Sequence, residues 1–212
     1  MRADCPRTIK FLQNEIVQLD SYRLRKLAPP DVVVDIGGNI GVFALFAREL
    51  WPETRIVSIE PYPETYGFLA ENTAGKNIDL YNVALGDGKP VRFSTYRDSL
   101  SLQTVPSADG IPSFPFRELL AHVGVTLTDR SVLKVDCEGA ETALLGLEAV
   151  ALMQQVQHLC IEYHVKGRKG EFPIAMTWAE WGKWVKDLSA GPLHVETKGE
   201  TVERGYIWGT RA

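Results

Sequence analysis

The residues best suited to do chemistry lie in two short stretches, LKVDCEGAE from Leu133 to Glu141 and IEYH from Ile161 to His164. In extended backbone Lys134 and Asp136 share one face, as do Glu162 and His164, so the two pairs can converge on one pocket if their strands are neighbours. A histidine titrates near neutrality and suits removal of a proton from a hydroxyl group, which makes His164 the candidate base. Asp136 or Glu162 would orient it or share the work, and the simpler reading is a satisfied histidine closing a strand. Asp136, Glu138, Glu162 and His164 together also offer a donor set for Mg²⁺, which would lower the pKa of a bound hydroxyl. Glu141 reads as an acid at the start of the following helix, where the helix dipole favours it.

A second constellation is the turn VVVDIGGNIG from Val32 to Gly41. Asp35 ends a β-branched run, Gly37, Gly38 and Gly41 let the backbone turn tightly, and a helix begins directly after. Exposed amides there can bind a small polar ligand, and Asp35 can organise the loop or receive an ammonium group. At the end of the next strand, Glu60 before Pro61 puts a carboxylate where it can accept hydrogen bonds from both hydroxyls of a ribose. Tyr62 either lies against an adenine or is a half-buried residue opening a helix. A dinucleotide fingerprint requires Gly-x-Gly-x-x-Gly, but Asn39 follows Gly37 by two residues and position 42 is valine. Asn39 suits the amino and carboxylate groups of a methionine moiety, so S-adenosylmethionine is favoured over NAD(P) and oxidoreductase chemistry. A protein that binds the methyl donor without turnover is the non-enzymatic alternative.

These residues need strand ends to hold them. Val32 to Val34, Arg55 to Glu60, Ile78 to Ala84, Val132 to Asp136 and His158 to His164 read as buried strands. Val42 to Leu50, Tyr62 to Thr73, Phe116 to Val123, Ala140 to Leu152 and Trp178 to Leu188 read as helices. His194 to Thr197 and Tyr206 to Gly209 flank a turn with no helix between, as in an antiparallel hairpin. The expectation is an α/β fold with a mostly parallel seven-stranded sheet, helices on both faces and ligands beyond the carboxyl ends of the strands. Ile9, Leu12, Ile16 and Leu19 recur at helical spacing, so residues 1–30 should form a helical segment docking on a domain of residues 31–212. Residues 86–115, with a hairpin near Val91 to Thr95, read as an insertion over the site. Arg92, Tyr96, Arg97, Ser99 and Ser101 are its candidate lid residues.

The chain has 212 residues, 45% of them apolar, enough for one three-layer core. A net charge of -4 argues against a general nucleic-acid surface. Three unpaired-looking cysteines and the lack of an apolar leader or spanning run lead to the expectation of a cytoplasmic protein away from membranes. Trp178, Trp181 and Trp184 lie three apart, a pattern of core or homodimer contact more than of an acceptor wall. Lys166, Arg168 and Lys169 form a basic loop that is either solvated or meets an anionic group.

In its ordered blocks VVVDIGGNIG, IEP at Ile59 to Pro61, NVALGD at Asn82 to Asp87 and LKVDCEGAE, the chain resembles the FkbM-type methyltransferases. The resemblance spans about half the chain and implies a Rossmann-like class I fold that transfers methyl groups from S-adenosylmethionine to hydroxyls of natural products or sugars, a small hydroxylated acceptor. It implies Asp35, Gly37 and Asn39 near the methionine part, Glu60 on the ribose, Asn82, Val83 and Ala84 near the adenine, and Asp136 near the reacting centre. Gly38 departs from the family pattern, which commonly has alanine there.

Overall fold

The structure is a computed structural model in which residues 1–94, 103–165, 175–201 and 203–211 are described. The elements in chain order are α1 (Pro6–Leu12), β1 (Val32–Ile36), α2 (Val42–Leu50), β2 (Arg55–Ile59), α3 (Pro63–Asn72) and β3 (Ile78–Tyr81). Then follow β4 (Ala84–Leu85), β5 (Val91–Ser94), β6 (Gln103–Pro106), β7 (Ser113–Phe114), α4 (Phe116–His122), β8 (Ser131–Val135) and α5 (Leu147–Met153). The chain closes with β9 (His158–His164), α6 (Trp178–Ser189), β10 (Leu193–Gly199) and β11 (Arg204–Arg211).

A seven-stranded sheet in the order β10-β11-β9-β8-β1-β2-β3 carries the molecule. The five strands from β9 to β3 are parallel, and β11 runs antiparallel against both β9 and β10. β1 and β8 are buried at every position, as strands covered on both faces must be. On one face Val34, Val57, Leu133, Leu159 and Ile161 pack with Leu119, Val150, Met153 and Trp184. On the other Val33, Ile56, Val132 and Cys160 meet Phe43, Phe46 and Ala47 of α2 and the amino-terminal segment. The strand order reverses at β1, flanked by β2 and β8, so the crevice beyond these carboxyl ends is where a ligand site is expected in such a sheet.

Three boundaries differ from the sequence expectation. The amino-terminal helix widens into a π-helical stretch, Gln13–Gln18, in which Leu19 N–H reaches back five residues to Asn14 O. That rotation leaves Leu12 and Ile16 buried but turns Leu19 out to 67% exposure. The expected helix from Ala140 to Leu152 is two pieces, a 3₁₀ turn at Ala140–Leu144 and α5, separated by the extended backbone of Gly146. Glu141 folds back onto the main-chain N–H groups of Cys137 and Gly139, each at 2.9 Å. It therefore serves the preceding turn and not a helix dipole. The third strand stops at Tyr81, because Asn82 turns its amide to the carbonyls of Glu60 and Pro61 at 2.8 and 2.9 Å.

β5 and β6 form the hairpin expected in the insertion. Tyr96, Arg97, Ser99 and Ser101, and the basic loop of Lys166, Arg168 and Lys169, lie outside the described residues. Trp184 is buried in the core, Trp181 packs against it, and Trp178 is 49% exposed, so the tryptophans hold α6 to the sheet. Among the described residues, no helix is long and apolar enough to cross a membrane.

Candidate functional site

A cavity of about 310 Å³ opens at the carboxyl ends of β1, β2 and β8. Gly37, Gly38, Asn39, Glu60, Pro61, Tyr62, Val83 and Ala84 line one half, and Asp136, Glu138 and Glu162 line the other. Nine of the twelve cofactor residues expected from sequence therefore line a single space. Asp35, Gly41, Asn82 and His164 do not line it.

The turn after β1 is held from beneath. Gly37 has φ +84°, and a Cβ there would come within 1.7 Å of the Asp136 carbonyl oxygen, so only glycine lets the first turn lie on the end of β8. The N–H groups of Gly37 and Gly38 both donate to Ile59 O at 2.9 Å, and Asn39 N–H donates to Glu60 Oε2 at 2.9 Å. These amides stitch the turn to β2 and are not spare donors for a ligand, which revises the expectation of exposed amides. Asp35 is fully buried, 3.0 Å from Lys134 Nζ and accepting the Ser58 hydroxyl at 2.8 Å. Of its two expected roles it takes the loop-organising one. Burial alone would push the Lys134 proton off, but Asp35 and then Asp136 outweigh it and raise its pKa, so the buried ammonium stays charged. Lys134 also donates to Gly37 O, tying the turn to β8.

Glu60 is 8% exposed and receives the N–H groups of Asn39 and Tyr62 on separate oxygens, at 2.9 and 2.8 Å. Burial raises its pKa to about 7, against the opposing pull of those two donors. Each oxygen keeps a further lone pair and Glu60 lines the cavity, an arrangement suited to two adjacent hydroxyls. Tyr62 stands over this corner with its ring edge-on to Phe93 of β5, centroids 5.1 Å apart.

The other half is built from ionisable groups. Asp136 Oδ2 accepts the Tyr22 hydroxyl at 3.1 Å and lies 3.9 Å from Lys134 Nζ. Glu138, with φ +52°, is thrown back over the strand ends beside Gly139 at φ +102°. Its carboxylate is 3.5 Å from His164 Nε2, while His164 Nδ1 is 3.3 Å from Glu141 Oε1. His164 is fully buried behind Glu138. Burial would lower its pKa, but Glu141 first, then Glu138 and Glu162, hold it up to about 10. Burial lifts Glu138 to about 8 despite His164, whereas Glu141 is held low because His164 and its N–H donors outweigh burial. At neutral pH His164 thus carries its proton and lacks the free lone pair that the sequence reading asked of it. Glu162, on the same strand as His164, is 3.3 Å from Arg204 of β11, with its pKa pushed well up by burial and by Asp136.

Sequence reasoning missed the roof. Phe11, Leu12, Glu15 and Ile16 from the amino-terminal segment, Phe93 from the insertion and Arg204 from the hairpin also line the cavity. Glu15 accepts the Tyr206 hydroxyl at 2.7 Å, and its pKa is raised chiefly by burial. An acid between Leu12 and Ile16 on an otherwise apolar helical face was the available signal. For Arg204 there was none, because its place depends on the β9–β11 register, which sets it opposite His164.

Residues 35–190 match the Methyltransferase FkbM domain family. Over 102 residues the chain is 28% identical to "Methyltransferase 1" of Beauveria bassiana, covering 48% of this chain and 39% of that protein. Over 121 residues it is 31% identical to the 31-O-demethyl-FK506 methyltransferase FkbM of Streptomyces tacrolimicus, covering 55% of this chain and 45% of that one. The chain spans less than half the length of these curated relatives. Among solved structures it is similar to precorrin-6y C5,15-methyltransferase of Geobacter metallireducens, with TM-score 0.52, 18% identity and coverage of 92% and 87% of the two chains. A methyltransferase FkbM from Methylobacillus flagellatus matches with TM-score 0.50 and 14% identity, over 88% of this chain and 45% of that one. The shared architecture is the Rossmann-like class I methyltransferase fold, with the carboxyl-terminal antiparallel hairpin.

Proposed function

Because the chain belongs to the FkbM methyltransferase domain family, we propose that it transfers a methyl group from S-adenosylmethionine to a hydroxyl oxygen of a small acceptor. The observation that carries this reading is Glu60, a buried carboxylate with one N–H donor on each oxygen, opening onto the same cavity as Asp136 and Glu162. A ribose diol satisfies Glu60, and the adenine has Tyr62, Val83 and Ala84 for walls. The methionine end lies along Gly37, Gly38 and Asn39 toward Asp136. Asp35, Gly41 and Asn82 shape this surface from behind.

When bound, the donor supplies a sulfonium methyl whose carbon accepts the oxygen's electron pair as the C–S pair leaves to sulfur. The protein's share is to hold the acceptor oxygen in line, exclude water under the Phe11 to Ile16 roof and take the hydroxyl proton. Glu162 takes that proton in this reading, as a carboxylate on the cavity wall whose other contacts are met by Arg204. Asp136, fixed by Tyr22 and Lys134, orients the acceptor. His164 acts through Glu138, holding its carboxylate in place. Its expected role as the base thus passes to a neighbour that reaches the cavity.

The test is formation of S-adenosylhomocysteine and methylated product from S-adenosylmethionine with a set of hydroxylated acceptors, including sugars and cyclic alcohols. Glu162→Gln should lower turnover by roughly 10²–10⁴-fold, the usual scale for a lost general base. Its affinity for S-adenosylhomocysteine should stay within about twofold, since Glu162 lies in the acceptor half. Turnover of this variant equal to wild type would move the base elsewhere.

A further inference from the structure

Asp136, Glu138 and His164 come together in a way that methyl transfer does not by itself require. One donor atom from each lies within 4.8 Å of the others, and the two carboxylates face the cavity. They come from the ends of two adjacent parallel strands, and the left-handed backbone at Glu138 and Gly139 brings the second carboxylate back beside the imidazole. Behind them Glu141, fully buried and fixed by two main-chain N–H groups at 2.9 Å, engages Nδ1 of His164. A carboxylate on Nδ1 keeps one proton there and directs Nε2 toward Glu138 and Asp136, and a bound ion takes the place of the Nε2 proton that His164 otherwise carries. That carboxylate is the outer support by which metal-ligating histidines are oriented.

We infer that Asp136, Glu138 and His164 form a binding site for a divalent transition-metal ion, of the Mn²⁺, Fe²⁺ or Co²⁺ type. Two carboxylates balance the ion's charge, and one imidazole nitrogen favours these ions over Mg²⁺ and Ca²⁺, which prefer oxygen alone. Glu162, which the sequence grouped with these three, is engaged by Arg204 and stands outside the triad. The remaining coordination positions open to the cavity. Use of such an ion to bind the acceptor hydroxyl rests on the methyl-transfer reading, whereas the ion site itself does not.

The experiment is calorimetric titration of the chelator-treated full chain with MnCl₂ and CoCl₂, followed by pulsed electron paramagnetic resonance of the Mn²⁺ complex. The expected result is one ion per chain, bound far more tightly than Mg²⁺, with the spin-echo modulation of a single imidazole nitrogen. Glu138→Gln and Asp136→Asn should each weaken binding at least tenfold, and Glu141→Gln by about 10–100-fold through loss of the outer support. Affinity weaker than about 1 mM for both ions overturns the inference. So does binding without nitrogen modulation, a readout on wild-type protein that needs no variant to fold. Titration of the metal-free chain with S-adenosylhomocysteine separates the two claims: if that ligand does not bind while Mn²⁺ does, the methyl-transfer reading fails and the ion site stands.

Discussion

Glu60 and Gly37 show how much of the site depends on single atoms. Glu60 must be ionised to accept two hydroxyl hydrogens, yet burial holds its pKa at about 7. Protons therefore compete with a ribose. Affinity for S-adenosylhomocysteine should fall as pH drops below about 7 and level off above it, and calorimetry across this range checks the sign. Glu60→Gln should remove that pH dependence and cost about 1.5–3 kcal/mol of binding, the scale of a hydrogen bond to a charged group. Gly37→Ala puts a methyl group 1.7 Å from the Asp136 carbonyl at a left-handed φ, a collision with main chain that no rotamer relieves. It should cost more than about 3 kcal/mol in chemical denaturation. Gly38→Ala meets side chains, the Ser58 hydroxyl at 2.2 Å and Leu69 Cδ2 at 3.3 Å, and the expected loss is about 1 kcal/mol from the displaced Ser58–Asp35 hydrogen bond. The collision at 37 is with main chain and that at 38 is with side chains, so alanine should be more tolerable at 38 than at 37.

At the scale of elements, the half of the cavity proposed for the cofactor belongs to the strand–turn–helix units, and the half proposed for the acceptor also draws on the amino-terminal segment and β11. The amino-terminal segment is clamped by side chains of the last strand. Tyr206 donates to Glu15, Trp208 Nε1–H donates to Ser21 O at 2.8 Å, and the Arg23 guanidinium lies 3.7 Å over the Trp208 ring. His158 adds a contact with Tyr22 O at 2.9 Å. Tyr206→Phe removes the partner of a half-buried carboxyl group and should loosen this roof. Amide exchange across residues 6–22 should accelerate, with about 1 kcal/mol lost in global stability. Exchange unchanged in that segment would mean that the apolar contacts of Leu12, Ile16, Tyr22 and Leu24 hold the roof without the clamp. These connections explain what sequence could reach. Strand ends such as Asp35, Glu60 and Asp136 were legible because buried parallel strands are continuous apolar runs that stop where the chemistry begins. The roof was not, because Arg204 reaches the cavity through the β9–β11 register, which leaves no local pattern, and the one sign of Glu15, an acid on an apolar helical face, does not say what that face covers. His164 was legible as a strand-end histidine, but its charge state depends on Glu138 and Glu141, whose positions follow from a left-handed turn and from a helix that breaks at Gly146.

For the whole molecule, the sheet separates stability from function. The tryptophan helix and the layer around Trp184 pack on the sheet face opposite α2, and none of the three tryptophans lines the cavity. Trp184→Ala should destabilise the fold by about 3–5 kcal/mol, as for other buried aromatic truncations, while leaving affinity for S-adenosylhomocysteine of the folded fraction unchanged. The reverse holds for Glu60, where binding should change and the melting transition should move little. The most direct test of the central claim is therefore one calorimetric comparison, S-adenosylhomocysteine titrated into wild-type protein and into Glu60→Gln, with NAD as the control ligand. Stoichiometric binding to wild type, about 10–100-fold weaker binding to the variant and no binding of NAD is the predicted result. Equal affinity in both proteins, or NAD bound in preference, would contradict it.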